Sequence, residues 1–187
     1  MPRQLSRGDA PLTGKQPVWD LPVRLVHWLL AALIAFSWWS VKNHHTDWHI
    51  WSGIAILTLL VFRLLWGFVG SSTARWAGFV RGPRTVLGYL RGGWRGAGHT
   101  PLGAISVVAM FLAVAVPVGL GLVVLHLAAI LFYRLRGQGL TWPMITGRAP
   151  AAPGITAMRP GKWWVALICL AVALGISRWV VAGAPLP

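Results

Sequence analysis

The chain reads as an all-α, integral membrane helical bundle, and three observations lead there. Its 187 residues are 56% hydrophobic and only 11% charged, against roughly 25% charged residues in a soluble domain, and its mean hydropathy is +0.65. Several apolar runs approach or exceed about 18 residues, the length that crosses a bilayer as one helix. The basic residues lie between those runs, as membrane topology requires. The net charge of +14 is therefore a matter of orientation. Nucleic-acid binding is set aside, because no basic face of a soluble domain is in view.

The elements follow in order. Residues 1–17 are polar and basic and lack the apolar centre of a signal peptide, so they read as a cytoplasmic tail before an uncleaved first span. That span runs from about Leu21 to Val41, with Asp20 suited to the N-cap and Pro22 to the first turn. The polar turn "KNHHTD" follows. A second span runs from about Trp48 to Gly70. Trp38, Trp39, Trp48 and Trp51 flank the turn as an interfacial aromatic belt. Residues 71–100 carry Arg75, Arg81, Arg84, Arg91 and Arg95. An apolar stretch from Leu102 to Tyr133 comes next, then a basic segment with Arg134, Arg136, Arg148, Arg159 and Lys162. A last span covers about Trp163 to Val181. The organisation expected is a tail (1–17), a membrane domain (18–148), a basic, Pro-rich linker (149–162), and a C-terminal transmembrane helix with its tail (163–187).

The positive-inside rule orients the chain. Arg3, Arg7, Lys15 and Arg24 flank the first span, whereas the turn after it carries only Lys42, offset by Asp47. The N-terminus is expected in the cytoplasm and the turn outside. Both flanks of Leu102–Tyr133 are basic, which demands an even number of crossings. The stretch is 32 residues long, about 48 Å as one helix. That is too long for one span and too short for two ordinary ones. Pro117, Gly119 and Gly121 mark the break, leaving an abnormally short hairpin.

Cys169 is the single cysteine, which rules out an internal disulfide and a cysteine metal cluster. Glutamate is absent, and the acids are Asp9, Asp20 and Asp47, so none of the spans offers a carboxylate as a proton acceptor. The histidines are more informative. His27 lies about seven residues inside the cytoplasmic end of the first span, and His126 lies eight residues before Arg134. At about 1.5 Å per residue the two sit at matched depth. Two histidines so placed on different helices can serve as axial ligands of one haem; each alone can equally be a hydrogen-bonded packing residue or part of a proton path. His49 opens the second span near His44 and His45. His45 and His49 are spaced i, i+4, which allows a shared face, and a zinc or copper site there is the minor alternative to a solvated turn. His99, in "GHTP", reads as a residue in or beside a cytoplasmic loop. Arg63 inside the second span and Arg24 one turn before His27 each have two readings: snorkelling to the interface or pairing with a haem propionate.

The blocks "VWDLPVRLVHW", "HIWSGIAILTLLVFRLLWGFVGSSTARWAGFV", "GHTPLGA", "LVVLHLAAILFYRL" and "PMITGR" together resemble the bacterial cytochrome b561 and nickel–iron hydrogenase b-type cytochrome family, in that family's order. The resemblance implies a four-helix haem-binding core, with a further C-terminal helix such as 163–181. It also implies electron transfer through bis-histidine haem b in a respiratory chain, between the quinone pool and a c-type cytochrome or other redox partner, in the bacterial inner membrane. By motif, His27 resembles the first-helix iron ligand, His49 the second-helix ligand and His126 the later of two fourth-helix ligands. Arg24, Arg63 and His99 are further cofactor-side candidates, with quinone as a second ligand. The family's earlier fourth-helix histidine has no counterpart: Leu112 stands fourteen residues before His126. One haem, on His27 and His126, keeps both ligands, and a second, on His49, lacks an evident partner. The alternative from another class is a non-redox membrane anchor or assembly subunit that has lost haem.

Overall fold

The computed structural model describes residues 15–79, 126–128, 130–132, 134–135, 141–150 and 158–183. Among them, three helices are long and apolar enough to cross a membrane: α1 (Leu21–Lys42), α2 (Thr46–Val69) and, near the C-terminus, Trp163–Val181. Short elements complete the description. They are β1 (Lys15–Pro17), α3 (Trp76–Phe79), α4 (Thr141–Thr146) and β2 (Arg148–Pro150), so that the C-terminal helix is α5. Residues 126–128, 130–132 and 134–135 are helical as well. The short hairpin expected near Pro117, and with it the complete four-helix core, falls outside the described residues.

Asp20 begins α1 as its sequence neighbours require. It holds an extended backbone and accepts a hydrogen bond from the Val23 amide at 3.0 Å, which satisfies one of the amides a helix start leaves without a partner. Pro22 sits in the first turn, where its missing N–H costs nothing. At the far end the Asn43 amide and side chain both donate to Trp39 O, at 3.1 and 2.8 Å. His44 then takes a φ of 59°, a left-handed conformation in which histidine is enriched several-fold over most residues. The His45 amide returns to Ser40 O at 2.9 Å, and the reversal into α2 is closed within three residues.

α1 packs along α2, and α2 packs along α5. Thr58, Phe62 and Trp66 on α2, each four residues apart, run against the buried stripe Ser177, Ala173 and Cys169 on α5. The Thr58 hydroxyl lies 2.8 Å from Ser177 Oγ and 2.9 Å from Ile54 O, so the two hydroxyls share one hydrogen bond while Thr58 donates to the carbonyl. Apolar side chains gain little from leaving lipid for a helix interface. Close backbone approach over small residues and an interhelical hydrogen bond are what hold such a pair. Cys169 is thus a small packing residue.

The end of the bundle that carries Asp20 is closed by irregular chain. β1 and β2 pair antiparallel, Lys15 opposite Pro150 and Pro17 opposite Arg148. This ribbon is the departure from an all-helical reading. Main-chain groups just outside a span still need partners, and segments far apart in sequence supply them. The Met158 amide donates to Pro17 O at 3.2 Å, Ser72 N to Arg159 O at 3.1 Å, Arg159 N to Ser72 Oγ at 2.9 Å, and Thr73 Oγ1 to Val18 O at 2.7 Å.

Candidate functional site

His27 projects from the second turn of α1, and its partner comes from residues 126–135. The His27 and His126 rings lie 6.4 Å apart, centroid to centroid, at an interplanar angle of 58°. Trp28 stands edge-on to His27 at 5.4 Å. Both imidazoles are half-buried. An iron held between two imidazole nitrogens at about 2 Å each sets the two ring centroids about 6 Å apart. The donor set and its spacing therefore fit one bis-imidazole iron.

Arg24, one turn before His27, turns its guanidinium toward α4. Its guanidinium donates to Met144 O at 3.3 Å through Nε and to Ile145 O through its terminal nitrogen. These are the last carbonyls of α4, where a helix leaves acceptors unpaired and favours a cation. Gly147 follows with a φ of +77°. Its amide donates to Pro143 O at 2.7 Å, and its carbonyl accepts from the Val18 and Trp19 amides at 2.8 and 3.1 Å. A Cβ on Gly147 would stand 2.8 Å from an Arg24 terminal nitrogen and 2.9 Å from Trp19 O, so only glycine fits.

Arg63 is buried, and its partners lie just beyond the end of α2. Its guanidinium donates to Ala74 O at 3.4 Å and lies 4.9 Å above the Trp76 ring. Trp76 in turn donates to Leu64 O at 3.2 Å. Among the described residues, the acid at this end of the bundle is Asp20. That carboxylate is itself buried, and its second oxygen accepts from Trp66 Nε1 at 2.9 Å. No span contains an acid at this end, yet the residue just ahead of α1 puts one inside. The sequence signalled Asp20 only as a cap. The facing tryptophan, 46 residues later, carried no local mark of the contact.

His49 lies at the other end of the bundle. Its Nδ1 is 2.9 Å from Ser37 Oγ and 3.3 Å from Ser37 O on α1, a second contact that sequence reading did not anticipate. His45 stacks on Trp48 at 4.8 Å and lies 5.7 Å from Trp39, within an aromatic group that includes Phe36. His45 and His49 are thus drawn to different neighbours. Among the described residues no group of three His, Cys, Asp or Glu side chains comes together. His99 lies outside the described residues.

None of the curated proteins and none of the solved structures matches the chain. A family model, that of the prokaryotic cytochrome b561, does match, over residues 18–122. It spans α1, α2, His27, His49 and Arg63, and it stops four residues short of His126. The match takes in more than half of the 187 residues, and with its apolar helices and half-buried histidines the chain belongs to the prokaryotic cytochrome b561 family.

Proposed function

We propose that the protein is a membrane b-type cytochrome in which His27 and His126 hold one haem b iron from opposite faces. It passes electrons between the quinone pool and a c-type cytochrome or other redox subunit of a bacterial inner-membrane respiratory chain. The family supports the coarse reading, a membrane b-type cytochrome in electron transfer. The observation that carries the assignment of ligands is the 6.4 Å separation of the two imidazoles. Haem b supplies a one-electron ferrous–ferric couple whose potential follows ligation, burial and nearby charge. The chain's own part is to fix two neutral imidazoles at a set distance and to surround them with apolar wall, here including Trp28. His49 keeps one ring nitrogen engaged at Ser37, and no second ligand for it lies among the described residues.

The test is a dithionite-reduced visible spectrum of protein purified after expression with ample haem. A b-type α band with one haem per chain is expected, and His27→Ala and His126→Ala should each abolish it. No haem at all would support the anchor reading instead. Full haem retained by either variant would break the pairing.

A further inference from the structure

We infer that Arg24 is a positioning residue, a clamp that sets the distance between the His27 helix and the His126 helix, and that Gly147 is the other half of the same device. The inference rests on the proposed ligand pair. It goes beyond it by naming what holds that pair in register. Two histidines on separate helices keep a bis-imidazole spacing only if the helices are fixed to each other. Within a membrane, apolar side chains supply little preference for one register over another.

The fixing is done where the chain leaves each helix. The segment just before α1 and the segment that follows the His126 helix are joined by the β1–β2 ladder, from Lys15–Pro150 to Pro17–Arg148. They are joined again by the two amides, of Val18 and Trp19, that converge on Gly147 O. Arg24 then closes onto Met144 O and Ile145 O from within α1 itself. Arg24 is three residues from His27 on one rigid helix, so whatever fixes Arg24 fixes the imidazole. α4 begins six residues after Leu135 in the sequence, so the inferred clamp acts on the His126 helix through the chain that leaves it. Gly147 is required on geometric grounds, because its φ of +77° and the room taken by Arg24 and Trp19 O leave no place for a side chain. The Arg24 charge therefore goes to a helix C-terminus rather than to solvent.

The experiment compares Arg24→Met, Arg24→Lys and Gly147→Ala in the full-length protein. Methionine keeps helix propensity and length but cannot donate, and lysine keeps a donor. Haem binding and the low-spin ferric signal are measured in each. In parallel, spin labels on Leu25→Cys and Leu135→Cys, both exposed, report the helix-to-helix distance in a Cys169→Ser background, with and without haem. Arg24→Met and Gly147→Ala should lower haem affinity about 10- to 100-fold, the usual cost of losing an outer partner of a metal ligand. Both should broaden the label distance even without haem, and Arg24→Lys should restore much of each. An unchanged distance distribution in Arg24→Met would overturn the clamp, and this reading survives any failure of Gly147→Ala to fold. Loss of haem in Arg24→Met with an unchanged Gly147→Ala protein would overturn it too, because Arg24 would then act on the haem directly. If His27→Ala and His126→Ala retained haem, the ligand assignment would fall, while the haem-free label distances would still decide the clamp.

Discussion

Asp20 is the residue whose loss should be felt most at the basic end of the bundle. Asp20→Ala removes two contacts together: the cap on Val23 N at 3.0 Å and the acceptor for Trp66 Nε1 at 2.9 Å. Losing an aspartate cap costs about 1 kcal/mol. A hydrogen bond to a charged acceptor contributes about 1.5–3 kcal/mol, and Trp66, 1% exposed, has no water to turn to. The sum is about 2.5–4 kcal/mol. Asp20→Asn keeps a good cap and a neutral acceptor and should cost at most about half that sum. The assay is equilibrium unfolding in mixed micelles on rising SDS, followed by helical circular dichroism, with Trp66→Phe completing a double-mutant cycle. A coupling of about 0.5–3 kcal/mol between the two residues is expected. If Asp20→Ala unfolded within about 0.5 kcal/mol of Asp20→Asn, with no coupling to Trp66, the buried network would not be holding the two helices together.

Three further outcomes follow from the packing. A Cβ at Gly67 would fall on the Trp76 indole, whereas Gly53 and Gly175 have nothing within 4 Å; Gly67→Ala should cost about 1–3 kcal/mol in the same titration, with the other two glycine-to-alanine changes neutral or stabilising by up to about 1 kcal/mol, and equal costs at all three sites would contradict the contact. Ser177→Ala removes one interhelical hydrogen bond while Thr58 keeps Ile54 O, so the same unfolding curves should shift by only about 0.6 kcal/mol; a loss several times larger would mean that the hydroxyl pair does more than pack. Cysteine at Asn43 should react with an impermeant maleimide in intact spheroplasts of Cys169→Ser protein, and cysteine at Lys162 only after permeabilisation; the reverse pattern would invert the orientation drawn from the basic flanks.

The spans were legible because the information for them is local. The run from Leu21 to Lys42 carries its own cap, proline and apolar length, and the observed helix begins and ends within a residue of what those signals indicate. Trp163–Val181 matches its expected bounds, and Thr46–Val69 begins two residues before and ends one residue before those expected. The family was legible for a related reason, since its blocks are local stretches that follow one another in a fixed order. The histidine pair was partly legible: depth along two helices can be counted, but facing cannot. The arginines were not legible. Snorkelling and propionate pairing were the readings open to Arg24 and Arg63, and the contacts found are to the end of α4 and to Ala74 and Trp76. A long cation takes whichever acceptors the fold brings near, and those acceptors are backbone carbonyls that leave no trace in residue type.

The sequence by itself determined that this chain lies in a membrane, where the three long helices among the described residues start and stop to within about two residues, and which residue types could ligate iron. Hydropathy, capping and spacing act within one helix, over a few turns. The tertiary structure alone decided that His27 meets His126 at 6.4 Å, that Asp20 caps one helix while accepting from another, and that Gly147 and Arg24 join segments some 120 residues apart. Those contacts depend on rotation and register between helices, and an apolar helix surface in lipid specifies neither without a neighbour to pack against.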